Sequence, residues 1–258
     1  MNSVYWSPSV LEEWTQSISG VNQIDDLEQS ALSISYMPIP PNRTVVASFT
    51  RIFAVGVAFP TVTDAISLGD LQRIWFGEPL TNDQFSRIFL TETTKLAMTE
   101  LWGPSMGDRV QTVEEASIVE EVWRSGENLA IIPFEKIEPQ LKILRVGGIS
   151  PLDRPMDTTD YPLTLTYTLS VNPGALQVLQ PITTQLIQNI PVTNRDETKM
   201  TVLIMTGTTA LARVMMWKIE NKGYDHPIEM IKGWFENADL KHISNEGSFN
   251  ADCAYTDA

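Results

Sequence analysis

An α/β fold is predicted by three observations. Helix-start signals alternate with short apolar runs too brief for stable helices, the segment from Leu163 to Val171 alternates at a period of two, and a new strand opens at Thr201 after a polar stretch. Hydrophobic residues make up 43% of the 258, ample material for a packed core.

The elements are expected in the following order. Residues 1–43 form a poorly defined N-terminal segment, with a short helix near Ser9–Ile18 and a breaker at Met37-Pro38-Ile39-Pro40-Pro41 that favours extended backbone. The apolar stretches Val45–Phe49 and Phe53–Phe59 predict two buried strands ending at Pro60. Ser67 with Asp70 three residues on forms a capping box. Leu68, Leu71 and Trp75 follow at helical spacing, and Gly77 supplies a left-handed stop. Thr112 with Glu115 repeats this logic, through Val119 and Trp123 to Gly126. Leu129–Phe134, Leu141–Val146 and the alternating Leu163, Leu165, Tyr167, Leu169 and Val171 are expected strands, and Ala175–Ile190 a helix interrupted by Pro181. Residues 191–199 are polar and lack apolar periodicity, which marks a linker, and residues 200–258 open another α/β unit that ends before it could close a core.

Charge and composition exclude several classes. Eighteen basic against 32 acidic side chains give a formal charge of −14, which argues against nucleic acid as a partner, since phosphate-backbone binders need clustered Lys and Arg. One cysteine, Cys253, forms no internal disulfide framework, and with His226 and His242 it makes no zinc motif. No apolar run approaches the roughly 20 residues of a membrane helix, and the first residues carry no signal peptide. There is no Walker or dinucleotide loop and no Gly-x-Ser-x-Gly elbow.

The run Ser67-Leu68-Gly69-Asp70-Leu71-Gln72-Arg73-Ile74-Trp75-Phe76-Gly77-Glu78 resembles a helix of type 2 periplasmic solute-binding proteins, phosphate-binding ones especially. Trp123–Phe134 followed by Leu141–Gly148 is similar to the segment where that fold returns through its hinge, so the resemblance spans residues 44–190. It implies a ligand between two lobes, held by helix N-termini and hydroxyl-bearing loops. Thr61, Thr63 and Ser67 are then the candidate ligand-binding residues for a small anion or polar solute. The same residues also suit a turn and a helix cap, and Asp64 beside them would repel an anion.

Thr206–Arg213 and Ala238–Glu246 resemble the two opening motifs of the CapA family, proteins of poly-γ-glutamate capsule biosynthesis that are metallophosphatase-like. The family-motif positions are Gly207, Thr208, Arg213, Asp239, Asn245 and Glu246. Thr208 stands where the family carries a metal-binding aspartate, and Asn245 is displaced by one from the asparagine position, which on a strand turns its side chain to the other face. The resemblance implies a divalent metal in a full-length relative, but no cofactor, no metal and no catalysis in this truncated chain.

Two functional expectations follow. One is a CapA-like protein of capsule or cell-surface polymer synthesis, extracellular or in the cell envelope, partnered by polymer machinery. The other is a solute-binding module that captures a small anion such as phosphate, or another polar solute.

Overall fold

Short strands alternate with helices from the first residues onward in a computed structural model, which describes residues 3–246 apart from 11, 17, 37, 81–83 and 212–213. The chain runs through β1 (Ser3–Trp6), α1 (Glu12–Gln16), β2 (Asn22–Gln23), β3 (Leu32–Ser35), β4 (Thr44–Ala58), β5 (Ala65–Ile66), α2 (Leu68–Trp75), β6 (Arg87–Leu90) and α3 (Glu92–Trp102). It continues through β7 (Val110–Thr112), α4 (Ile118–Trp123), β8 (Asn128–Pro133), β9 (Leu141–Val146), β10 (Thr164–Val171) and α5 (Leu176–Asn189). After these come β11 (Leu203–Thr209), α6 (Val214–Lys222), α7 (Lys232–Glu236) and β12 (Leu240–Asn245). They divide into two compact units, Met1–Arg195 and Asp196–Ala258.

The first unit is organised by β4. Its sequence is β-branched and aromatic with no proline, so the two strands expected around Phe49 and Phe53 form one strand of 15 residues. Thr44–Ile52 pairs antiparallel with β10, whereas Phe53–Gly56 pairs antiparallel with β8 and Val55–Ala58 with β9. Two half-sheets therefore share one strand. The first has the order β2-β1-β3-β10-β4, parallel except for β10. The second has the order β7-β6-β8-β4-β9, parallel except for β4. The orders are the same when each half is counted from its own first strand: second, first, third, a returning strand, fourth. In both halves the chain reverses direction across the sheet beside the first strand, at β1/β3 and at β6/β8.

Side-chain alternation builds the core on both faces of β4. Phe53, Val55 and Val57 join the larger cluster with Ile52, Ile88, Leu129 and Leu144, while Ala54 faces the other way into a smaller cluster with Ile118, Val122, Ala130 and Ile132 under α4. Each fully buried aliphatic side chain contributes about 1.5–3 kcal/mol before chain entropy is charged against it. Residues 3–43, expected to hold little beyond one helix, supply three strands. Val4, Leu32 and Ile34 are fully buried, and these strands are four residues or fewer, too short for a pattern to show.

Local signals fared better where they were strong. Ser67 caps α2: its Oγ accepts the Asp70 amide at 3.0 Å and donates to Asp70 Oδ2 at 2.7 Å, and Gly77 adopts φ +65°. The helix expected from Thr112 starts only at Ile118, because Thr112 is the last residue of β7, in register with Leu90 of β6. Pro181 lies inside α5. The polar stretch 191–199 is not uniformly a linker. Thr193 bridges Thr50 of β4, and the Asn194 side chain pairs with Ile52 as a strand residue would, accepting from its N–H at 2.8 Å and donating to its C=O at 3.0 Å.

The second unit is a β-α-α-β arrangement in which β11 and β12 pair in parallel. Among its described residues only Ile219 and Ala238 are buried apolar side chains.

Candidate functional site

A cleft of about 890 Å³ opens in the first unit at the carboxyl ends of the parallel strands. Ser9 reaches it from the loop after β1, Thr91–Thr94 from the start of α3 after β6, Thr112–Glu115 from the end of β7, and Pro133 and Glu135 from the end of β8. Arg51 and Phe53 enter from β4, the strand that the two half-sheets share, and Tyr167 from β10 beside it. Open parallel sheets bind ligands at such carboxyl ends, where the strand order reverses, and both half-sheets direct theirs at this cleft.

The α3 edge is made by Thr91, whose Oγ1 accepts the Thr94 amide at 3.2 Å and lies 3.0 Å from the Thr94 hydroxyl. Helix amides at this end favour acceptor groups on a ligand. The floor is an aromatic and cationic stack. The Arg51 guanidinium lies 4.3 Å from the centre of the Trp14 ring, and Trp14 packs against Phe49 at 5.6 Å and edge-on to Tyr167 at 5.8 Å. Arg51 is 5% exposed and donates from Nη1 to Thr50 O at 2.8 Å and from Nη2 to Pro191 O at 2.9 Å.

A hydroxyl cluster sits beside this stack. Ser7 and Ser9 each donate to one carboxylate oxygen of Glu100, on the third turn of α3. Ser9 Oγ is 2.6 Å from the Tyr167 hydroxyl; since its single proton goes to Glu100, Tyr167 is the donor of that pair. Burial pushes the Tyr167 phenol well up, and the Glu100 charge adds to this. The charged side chains of the lining are mostly acidic: Glu92, Glu114, Glu115, Glu121, Glu135 and Glu138, against Arg51 and Lys136. Lys136 pairs with Glu115 at 3.0 Å, and Asn194 donates to Glu135 at 2.5 Å.

The sequence-derived candidates lie elsewhere. Thr61, Thr63 and Ser67 do not line the cleft. The Thr61 N–H closes a turn to Ala58 O at 2.9 Å, its carbonyl accepts Lys142 Nζ at 2.8 Å, and Thr63 Oγ1 accepts from Gln84. The reason is direction. β4 runs antiparallel in the second half, so residues after its end sit at the edge of the sheet opposite the carboxyl ends of β6, β7 and β8. The cleft residues Ser9, Thr91, Thr94 and Asn194 were missed, as was Glu100 beside them. A Thr91-x-x-Thr94 cap after the apolar Arg87-Ile88-Phe89-Leu90 was the signal that marks α3.

In the second unit, Thr208 Oγ1 donates to Glu246 Oε1 at 3.2 Å, and Asp239 Oδ2 accepts the Val202 amide at 2.8 Å. Gly207 lies within β11, Asn245 is opposite Thr209, and Arg213 is outside the described residues. Asp239 is thus tied to backbone, and among the described residues no group of three or more His, Cys, Asp or Glu side chains is arranged to hold a metal ion.

Among solved structures, the chain is similar to an ABC-type phosphate transport receptor from Vibrio cholerae, with 13% identity and a TM-score of 0.59 over 73% of this chain and 94% of that one. It is also similar to a possible phosphate binding protein from Planctomyces limnophilus, with 14% identity and a TM-score of 0.55 over 72% of this chain and 85% of that one. No family model and no curated protein matches the chain. At such identities the likeness establishes the fold, an α/β periplasmic-binding-protein-like one. It also overturns the expectation of a CapA-like capsule protein: the two structures of like fold are described as a phosphate transport receptor and a possible phosphate binding protein, and neither the CapA motifs nor a metallophosphatase-like domain finds a family match.

Proposed function

We propose that this chain is a solute-binding module whose first unit captures a small polar solute between its two half-sheets. The observation that carries this reading is the cleft itself, about 890 Å³ at the strand-order reversals of two sheets with the same topology. Hydroxyls of Thr91, Thr93, Thr94 and Thr112, the Asn194 amide and the start of α3 supply hydrogen-bonding groups at its walls. Inorganic phosphate is the first solute to test, because one structure of like fold is described as a phosphate transport receptor and another as a possible phosphate binding protein. The same likeness supports work outside the cytoplasm, and among the described residues no helix is long and apolar enough to cross a membrane.

The test is calorimetric titration of the full chain with inorganic phosphate, sulfate, a neutral sugar and an amino acid, repeated with Thr91→Val and Asn194→Ala. One solute is expected to bind saturably and to raise the unfolding free energy by about 2.7 kcal/mol at a hundredfold excess over Kd. Both substitutions should weaken that binding. A solute that binds equally well to both variants is held elsewhere and refutes the assignment of the cleft.

A further inference from the structure

Glu100 stands out as a contact that joins the two halves beside the cleft, next to Ser9 of its lining. It belongs to α3, which packs on β8 of the second half, yet its carboxylate lies among hydroxyls of the first. Ser7 and Ser9, which leave the carboxyl end of β1, are 2% and 3% exposed, and each gives its proton to a different oxygen of this one carboxylate. The Tyr167 hydroxyl supports Ser9 from behind. Two hydroxyls from the loop after a first parallel strand, converging on an anionic group, form the arrangement an oxyanion ligand would need. Here the chain supplies that anion itself. A partly buried carboxylate is costly unless its hydrogen bonds are met, so the pair of serines holds Glu100 where it is and, through α3, holds the second half against the first.

We infer that Glu100 is a built-in ligand, a latch that fills the hydroxyl cradle of the first half and keeps the cleft closed until a solute displaces it. The competition with solute rests on the solute-binding reading; the latch itself does not, and is tested with no solute present. Spin labels are placed at Glu28→Cys and Asp108→Cys, exposed positions on the first and second halves, in a Cys253→Ser background. Distances between them are measured in the full chain.

Glu100→Ala is expected to give a longer and broader distribution than the parent. Ser7→Ala with Ser9→Ala should reproduce it from the opposite side of the cleft, and adding Glu100→Ala to that pair should change nothing more. A folded Glu100→Ala protein whose distances match the parent overturns the latch, as does a serine pair variant that stays closed. In the second arm, phosphate is titrated into parent and Glu100→Ala chains. Loss of the competing carboxylate should tighten phosphate binding about 10- to 100-fold, the range of one or two hydrogen bonds to a charged group. Equal affinity overturns the competition. Absence of phosphate binding to every variant, with the distances still shifted, counts against phosphate as the solute and leaves the latch standing.

Discussion

Arg51 is the one arginine in the cleft lining, and the structure makes it a strut between β4 and the segment after α5. Replacing it with methionine keeps much of the aliphatic bulk and removes the guanidinium. Two carbonyl acceptors, Thr50 O at 2.8 Å and Pro191 O at 2.9 Å, then lose charged donors. Each such loss costs about 1–3 kcal/mol where water does not replace the donor. The stacking on Trp14 adds about 1 kcal/mol at this burial. Relief from holding a guanidinium at 5% exposure offsets part of this, and water entering from the cleft offsets more, so a net loss of about 2–4 kcal/mol is expected. Arg51→Lys should recover little, since an ammonium has neither the planar fork that spans two carbonyls nor the flat face that stacks. The assay is native-state hydrogen exchange of β4 amides in rising urea, because two compact units make a single spectroscopic transition ambiguous. Protection in Arg51→Met within about 0.5 kcal/mol of the parent would refute the strut.

The same change at two tyrosines should act in opposite senses. Tyr161 is buried with no hydrogen-bond partner for its hydroxyl among the described residues, so Tyr161→Phe should be neutral or stabilising by about 1 kcal/mol, whereas Tyr167→Phe removes the donor to Ser9 and should cost about 1 kcal/mol, both read from urea midpoints. Gly77 and Gly147 both have positive φ, at +65° and +62°, but a Cβ on Gly77 would meet Met106 O at 2.9 Å and one on Gly147 meets nothing within 4 Å. Gly147→Ala should therefore cost about 1–2 kcal/mol from backbone strain alone and Gly77→Ala measurably more in the same unfolding assay. Burial works against the Asp153 carboxylate, but hydrogen bonds from Arg145 at 2.6 Å and from the Ser150 amide, with the charges of Arg145 and Arg195, hold it below its ordinary 3.8. A lowered pKa gives stability that is full above 3.8 and is lost as the pH falls below it. Asp153→Asn should flatten that acid limb between pH 5 and pH 2, by about 1 kcal/mol or less because Arg145 is half exposed.

What was legible in the sequence was local. The cap at Ser67, the stop at Gly77 and the alternation of β10 each depend on residues within one element, and each stands in the structure as read. The single strand β4 was divided because Thr50-Arg51-Ile52 interrupts an otherwise apolar run. Only the pairing partners on either side, β10 and β8, reveal that the strand passes without a break from one half-sheet to the other. The cleft was not legible for the same reason. Ser9, Arg51, Tyr167 and Asn194 are brought together by strand order, and no local pattern marks them. The expectation of hydroxyls after a strand pointed to residues after β4, which do not line the cleft, because the direction of a strand within its sheet is a tertiary fact.

The likeness to phosphate receptors also fixes less than it suggests, and the reason is electrostatic. A fold places a cleft; the charge within it decides the occupant. Two unit charges 4 Å apart interact by about 4 kcal/mol at an effective dielectric of 20, so the glutamates around this cleft oppose a dianion strongly unless cations answer them. The two cations are already engaged, Arg51 with backbone carbonyls and Trp14, Lys136 with Glu115. An oxyanion that binds here must therefore draw on neutral donors: the wall groups at the start of α3, Thr112 and Asn194, and, on the latch proposal, the hydroxyls of Ser9 and of Ser7 beside it. The second of these sets is available only when Glu100 leaves it. On the latch proposal, selectivity would turn on one carboxylate and the two serines that hold it, rather than on the sheet topology shared with a receptor at 13% identity.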